Sequence, residues 1–374
     1  MTRRARVAWI GVLFLLLGAA VFVGVVILSR EPMPIDKPSL EVPKACRAVR
    51  IVSALIAQIE KPDAKRIVLI GKENLADYAP YFEHAGLPLA TNETALTSTD
   101  IVFLTSPNAK DKCLSIVPGA LYVMSINARN LLASDFKKIL LQNQSKSNHL
   151  WMPGSADWIL TSTTETNSIS LEGMMDAFSR EGVIDDLCIA QCDGLADVFA
   201  SYVGTLEDIL PAFASGQDAL VRPDNFVTRE IPSINWLDAS MIEEDIRKTI
   251  LADIRSAQVV RRVMLEGMSA AEAGQEDAAV AAFARVALRN PRDTMLVERV
   301  THLRVNAQTF EKVGNDTLAA HCYETIAQIY PNDPAPVQAF ERCVERLGKK
   351  DLARAAHERA RKLTRALRGR AQDK

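Results

Sequence analysis

Arg66-Ile67-Val68-Leu69-Ile70-Gly71 and, further on, Asp100-Ile101-Val102-Phe103-Leu104 are short apolar runs rich in β-branched residues, each bounded by a turn signal. Consecutive apolar positions, without polar alternation, fit strands covered on both faces, as in a parallel sheet. The flanking segments alternate with them. Residues 48–59 and 75–85 carry helical apolar spacing, and Gly86 closes the second. Gly119-Ala120-Leu121-Tyr122-Val123-Met124 reads as a third strand, 133–142 as a helix, and Trp158-Ile159-Leu160 as a fourth strand. Such alternation predicts an α/β sheet with crossover helices over 46–165. Residues 166–242 read as a helical connector with Gly and Pro breaks, closing at Arg222-Pro223-Asp224-Asn225. From Glu243 to residue 374 only helix is legible, so the fold class is α/β plus all-α.

Ahead of the sheet, residues 7–28 run VAWIGVLFLLLGAAVFVGVVIL without a charge. At ~1.5 Å rise per residue, that helix is long enough for a hydrocarbon core of ~30 Å. The rival is a cleaved signal, since Arg3, Arg4 and Arg6 make a basic start and Gly18-Ala19-Ala20 resembles a cleavage site. A cut there would leave a bulky apolar terminus exposed. We therefore expect a basic tail at 1–6, a transmembrane helix at 7–29 embedded in the lipid bilayer, and a semi-rigid linker at 30–45 with prolines at 32, 34, 38 and 43. The arginine cluster before the helix, against thinly mixed charges behind it, places the N-terminus in the cytoplasm. The expectation is a single-pass protein of a bacterial inner membrane with an extracytoplasmic body.

A net charge of −2 creates no global field towards nucleic acid. The Lys- and Arg-rich stretch 349–374 reads first as a solvated helix face, with a lipid or acidic partner as the alternative. The six cysteines (Cys46, Cys113, Cys188, Cys192, Cys322, Cys343) show no zinc-type pairing, and the five histidines no ligand spacing. Cys188 and Cys192 share a helix face, as small apolar residues more readily than as a redox pair. No metal, cofactor or catalytic residue is expected.

The last third contains a repeat. Gly274, Ala279, Phe283 and Pro291 recur as Gly314, Ala319, Tyr323 and Pro331, with spacings of five, four and eight in both copies. A partial third copy offers Gly348, Ala353 and His357. Apolar helices precede each Gly: Val263, Gly267 and Ala270; Leu303, Ala307 and Phe310; Val337, Phe340 and Val344. Gly supplies the turn, small Ala lets helices approach, the aromatic fills the gap and Pro ends the helix. Residues 255–365 thus resemble tetratricopeptide (TPR) repeats, an α-solenoid. They depart from the pattern in a first interval of 40 residues against 34, in His357 for an aromatic, and in the lack of a proline after it. An unrelated α-hairpin bundle is the rival. The resemblance implies a peptide groove on the first helices, here Met264, Met268, Arg304, Gln308, Gln338 and Arg342, holding a protein partner. A short array equally serves as packing or as a homo-oligomer surface.

The α/β part has its own resemblance. In residues 119–162, Ser134-Asp135-Phe136, His149, Trp151 and Asp157-Trp158-Ile159-Leu160 follow in the order of a spermidine synthase-like domain of membrane-associated bacterial proteins. That family implies a Rossmann-like fold binding S-adenosylmethionine or its decarboxylated form. The departures point to a reduced, non-catalytic domain. The first loop reads Gly71-Lys72-Glu73-Asn74, with one Gly where close backbone approach to a ligand needs several. The interval from Gly71 to Asp100 looks too short for the strand carrying a ribose-binding acid. Thr105-Ser106 stand where the resemblance puts an acid to take the amine proton. Three function classes follow: a non-catalytic interaction protein, a transferase acting on a small amine, and a small-ligand sensor.

Overall fold

The computed structural model describes residues 44–372, apart from 62, 71–86, 92–95, 105–116, 129–130, 143–144, 155–156, 165–168, 191, 193, 214–219, 222–233 and 235–236. The tail, the apolar run at 7–29 and the linker up to 43 lie outside the described residues, as do the expected helix at 75–85 and the turn at Arg222 to Asn225. Among the described residues no helix is long and apolar enough to cross a membrane.

Helix α1 (Lys44–Glu60) leads into β1 (Arg66–Ile70), taking in the last two residues assigned to the linker. The strands β2 (Leu89–Thr91), β3 (Asp100–Leu104), β4 (Leu121–Asn127), β5 (Ser147–Trp151), β6 (Asp157–Thr163) and β8 (Tyr202–Thr205) complete one seven-stranded sheet, ordered β2-β1-β3-β4-β6-β5-β8. The four strands from β2 to β4 in that order are parallel, and the junctions β4–β6, β6–β5 and β5–β8 are antiparallel. The expected crossover sheet is thus half the story. Helix α2 (Ala133–Gln142) matches its predicted span, but it leads to a β5–β6 hairpin and not to another parallel strand.

Alternate strand residues feed two cores, as the period of two requires. Ile67, Leu69, Ile101, Phe103, Leu121 and Val123 face α1 and the short helix α5 (Leu195–Ala200), which follows α3 (Leu171–Phe178) and α4 (Glu181–Ala190). On the other face Val102, Leu104, Tyr122, Met124 and Leu160 meet Phe136 and Leu140 of α2, with Leu206 and Ile209 of α6 (Leu206–Ile209). Trp158 anchors that side, its ring centroid 5.3 Å from that of Phe136.

Beyond a two-stranded pair, β7 (Ile169–Ser170) with β9 (Leu237–Asp238), the chain is helical: α7 (Glu244–Glu272), α8 (Glu276–Arg289), α9 (Thr294–Lys312), α10 (Asp316–Ile329), α11 (Pro334–Arg346) and α12 (Lys350–Gln372). These form three hairpins, α7–α8, α9–α10 and α11–α12, and α10 also packs on α8 and α11. The three hairpin turns share one geometry. Gly274, Gly314 and Gly348 have φ of 73°, 75° and 74°, a left-handed conformation that side chains resist. In each turn the next residue's N–H reaches back to close a Schellman bond, Gln275 to Ala270, Asn315 to Phe310 and Lys349 to Val344. Asp293 and Asp333 cap the helices that open the second and third hairpins, which ends the preceding α8 and α10 on Asn290 and Tyr330.

The irregular repeat interval has a simple origin. Helix α9 has 19 residues and α11 has 13, so the surplus sits in one first helix and the turns are unchanged. His357 stands where the third aromatic would be. It is exposed and bonds Glu341 at 2.9 Å.

Candidate functional site

In doubly wound sheets ligands bind beyond the carboxyl ends of the strands, where the strand order reverses. Here the reversal falls between β1 and β3, since the chain steps from β1 to β2 on one side and returns to β3 on the other. The segments leaving those ends, with Gly71, Thr105 and Ser106, lie outside the described residues. One expectation is overturned. The interval before Asp100 does hold a strand: β2 pairs parallel with β1 through Ile67–Leu89, Val68–Ala90 and Leu69–Thr91. An edge strand of three residues fits where a full-length one would not. Glu93 follows it in the sequence.

Asp100 is no ligand-binding acid. It opens β3, at the end of the sheet opposite the switch-point loops. Its buried carboxylate accepts a bidentate pair from Arg66, Nε to Oδ1 at 2.7 Å and Nη2 to Oδ2 at 2.8 Å, with Thr97 donating through its N–H and hydroxyl. Burial acts to raise this carboxyl, but the bonds from Arg66 and Thr97 and the Arg66 charge outweigh it and hold the group below the usual range. The arrangement locks β1 to β3.

The residues carrying the transferase resemblance are split between the two faces of the sheet, with Phe136, Trp158 and Leu160 on the α2 side and Trp151 and Ile159 on the α1 side. Glu60, the last residue of α1, lies in the core beneath β5 and β6. Its Oε1 accepts from Trp151 Nε1 at 2.8 Å and from Thr161 Oγ1 at 2.7 Å, and stands 3.1 Å from His149 Nδ1. Burial works against the charged imidazole, yet the Glu60 charge and hydrogen bond prevail and place His149 above its ordinary value. Tyr202 packs edge-on against His149, with Trp151 beside it. Asp157, another match, accepts from the Asn127 amide at 3.0 Å across β4 and β6. His149 and Trp151 therefore hold a helix to a sheet. Among the described residues no cluster of His, Cys, Asp and Glu could hold a metal ion.

The expected groove positions divide. Met264 is 0 % exposed, inside the α7–α8 hairpin, so it cannot touch a partner, and Met268 is half-buried against the same core. On this long first helix, the face assigned to a peptide carries the packing instead. Arg304, Gln308, Gln338 and Arg342 are exposed. Gln338 and Arg342 line a groove of about 580 Å³ with Glu341 of α11 and His357, Ala360, Arg361, Thr364, Arg365 and Arg368 of α12; Arg304 and Gln308 on α9 do not. Four arginines against Glu341, which His357 already engages, make this groove cationic. Glu311 of α9 joins Tyr323 of α10 and Arg346 of α11 at 2.8 and 2.6 Å, tying three helices. Burial and Glu311 push the Tyr323 phenol up to about 12 and the Cys343 thiol up to about 11, so both stay protonated at neutral pH. Cys192, Cys322 and Cys343 are buried, the Cys343 Sγ 3.6 Å from Glu311 Oε1.

No protein-family model, curated protein or solved structure matches this chain.

Proposed function

We propose that this protein is a non-catalytic interaction module, anchored in a membrane by residues 7–29, whose TPR-like hairpins hold an acidic segment of a protein partner. The cationic groove between α11 and α12 carries the reading. Arg342, Arg361, Arg365 and Arg368 line one open cleft at the end of the array. Guanidinium groups match carboxylates in a planar, bidentate fashion, which suits recognition of Asp- and Glu-rich chain.

The test uses the full-length protein in detergent and a fluorescein-labelled glutamate-rich peptide, read by anisotropy. Binding should weaken as salt rises, because exposed charges are screened over ~10 Å at about 0.1 M. Arg342→Glu with Arg365→Glu should weaken it about tenfold or more, a change of ~1.4 kcal/mol. Arg304→Glu, on α9, should leave it unchanged. Equal loss from Arg304→Glu would move the contact to the first-helix face, and no salt-dependent binding at all would remove the peptide reading.

A second reading, a ligand-sensing or active spermidine synthase-like domain, draws support from β2 and the switch point beside it. With a single glycine in the first loop and hydroxyls at Thr105 and Ser106, calorimetric titration with S-adenosylmethionine should give no heat of binding. Micromolar affinity would instead favour this second reading, with Glu93 as the residue to replace.

A further inference from the structure

A second cavity, of about 220 Å³, lies where the α/β layer meets the helical array, between α5, α7 and the turn that enters α9. Arg261 of α7 is among its lining residues and is 8 % exposed. Its Nε and Nη1 are buried without a hydrogen-bond partner among the described residues. Its Nη2 stands 3.8 Å from Asp293 Oδ2, too far for a hydrogen bond. Asp293 is committed elsewhere, since Oδ1 caps α9 by accepting from Met295 and Leu296 N–H at 3.0 and 3.1 Å. A guanidinium has five donors in a fixed fork, and the three on Nε and Nη1 of this one lack an acceptor. Buried polar groups without partners are rare, and one beside a cavity points to a missing acceptor.

The rest of the wall narrows the chemistry. Arg289 adds a second cation, while Asp197 and Asp253 line the same space and would repel a multiply charged anion. Ala196, Ala257 and Val260 give it an apolar side. A volume under the ~300 Å³ usual for drug-sized ligands restricts it to small molecules. We propose that this cavity binds a small zwitterion, its carboxylate on Arg261 and its ammonium towards Asp197 and Asp253. The site is independent of the peptide groove, which lies on the α11–α12 hairpin. Because α5 and α7 meet at this joint, an occupant would brace the sheet against the array.

Thermal unfolding of the full-length protein in detergent is the test, with γ-aminobutyrate as probe and butylamine, acetate and matched sodium chloride as controls. At about 20 mM, γ-aminobutyrate should raise the midpoint by ~2 °C beyond sodium chloride, acetate should give less, and butylamine nothing. Arg261→Gln should abolish the effect. Should that variant fail to fold, Ala257→Leu fills the cavity while keeping Arg261, and it too should abolish the response. A third variant, Asp293→Asn, keeps the helix cap but removes the carboxylate charge 3.8 Å from Arg261, and should enlarge the shift. A response equal for all four solutes, or one that survives both Arg261→Gln and Ala257→Leu, would overturn the proposal.

Discussion

Replacing Glu60 by Ala is expected to lower the stability of the fold by about 3–5 kcal/mol, the range for leaving buried polar or charged partners uncompensated. Two donors from two strands converge on this carboxylate, Trp151 Nε1 and Thr161 Oγ1, with the His149 ring 3.1 Å away, and none has water to turn to. Urea unfolding followed by tryptophan fluorescence measures the loss, because Trp151 and Trp158 are fully buried reporters on the two faces of the sheet. The conservative change separates hydrogen bonding from charge. Glu60→Gln keeps an acceptor for Trp151 and Thr161 but removes the attraction to imidazolium. A raised native His149 means that the folded state binds the proton more tightly than the unfolded chain. Its contribution is complete below the unfolded value of ~6.5 and disappears as pH climbs through the raised native value. Wild-type stability should therefore fall from about pH 6 upward, whereas Glu60→Gln and His149→Gln should flatten that slope. An unchanged slope in both variants would show that the pair is neutral in the folded protein.

This network also shows where sequence reading stops. His149 and Trp151 stand out in the sequence, but their partner Glu60 is 91 residues from Trp151 in the chain. Nothing in the helix-spaced segment 48–59 marks its final carboxylate as buried. Strands β1 and β3 are legible because both their faces are apolar. Strand β5 reads Ser-Asn-His-Leu-Trp, and its polar residues are satisfied by Glu60 and by the Ser145 loop, so composition hides it. Strand β8, Tyr-Val-Gly-Thr, is too short to interrupt a stretch whose spacing is helical. The hairpins are legible for the opposite reason. Gly, small residue, aromatic and Pro repeat at fixed offsets, and each acts locally. The resemblance to TPR repeats points to the first-helix face, whereas three of the four arginines lining the cleft sit on α12. Arg261 escaped notice altogether, since an unpaired buried cation is a property of packing and not of spacing.

Phe283→Ala should cost about 3–5 kcal/mol, as expected for truncating a buried aromatic. The side chain is 2 % exposed on α8, and its ring lies directly against bare backbone at Gly267 of α7. A Cβ added at Gly267 would stand 2.7 Å from Phe283 Cε1 and 3.0 Å from the Ala282 Cβ, so the close approach of the two helices depends on the missing side chain. Two opposed effects follow for Gly267→Ala. Helix propensity favours Ala by about 1 kcal/mol, while overpacking a filled contact costs about 1–3 kcal/mol. In the wild-type background the clash should win or nearly cancel, giving a loss of up to about 2 kcal/mol. With Phe283 already truncated the ring is gone, and the same substitution should become stabilising by about 1 kcal/mol. Contacting residues are expected to deviate from additivity in this way, so the double-mutant cycle isolates the contact from the ordinary consequences of either change. Unfolding in urea of the wild type, both single variants and the double variant supplies the four values. Additive effects would mean that α7 and α8 are held by the rest of their interface. A change of sign would establish Gly267 against Phe283 as the contact that sets their spacing, and with it the position of α7 between the sheet and the array.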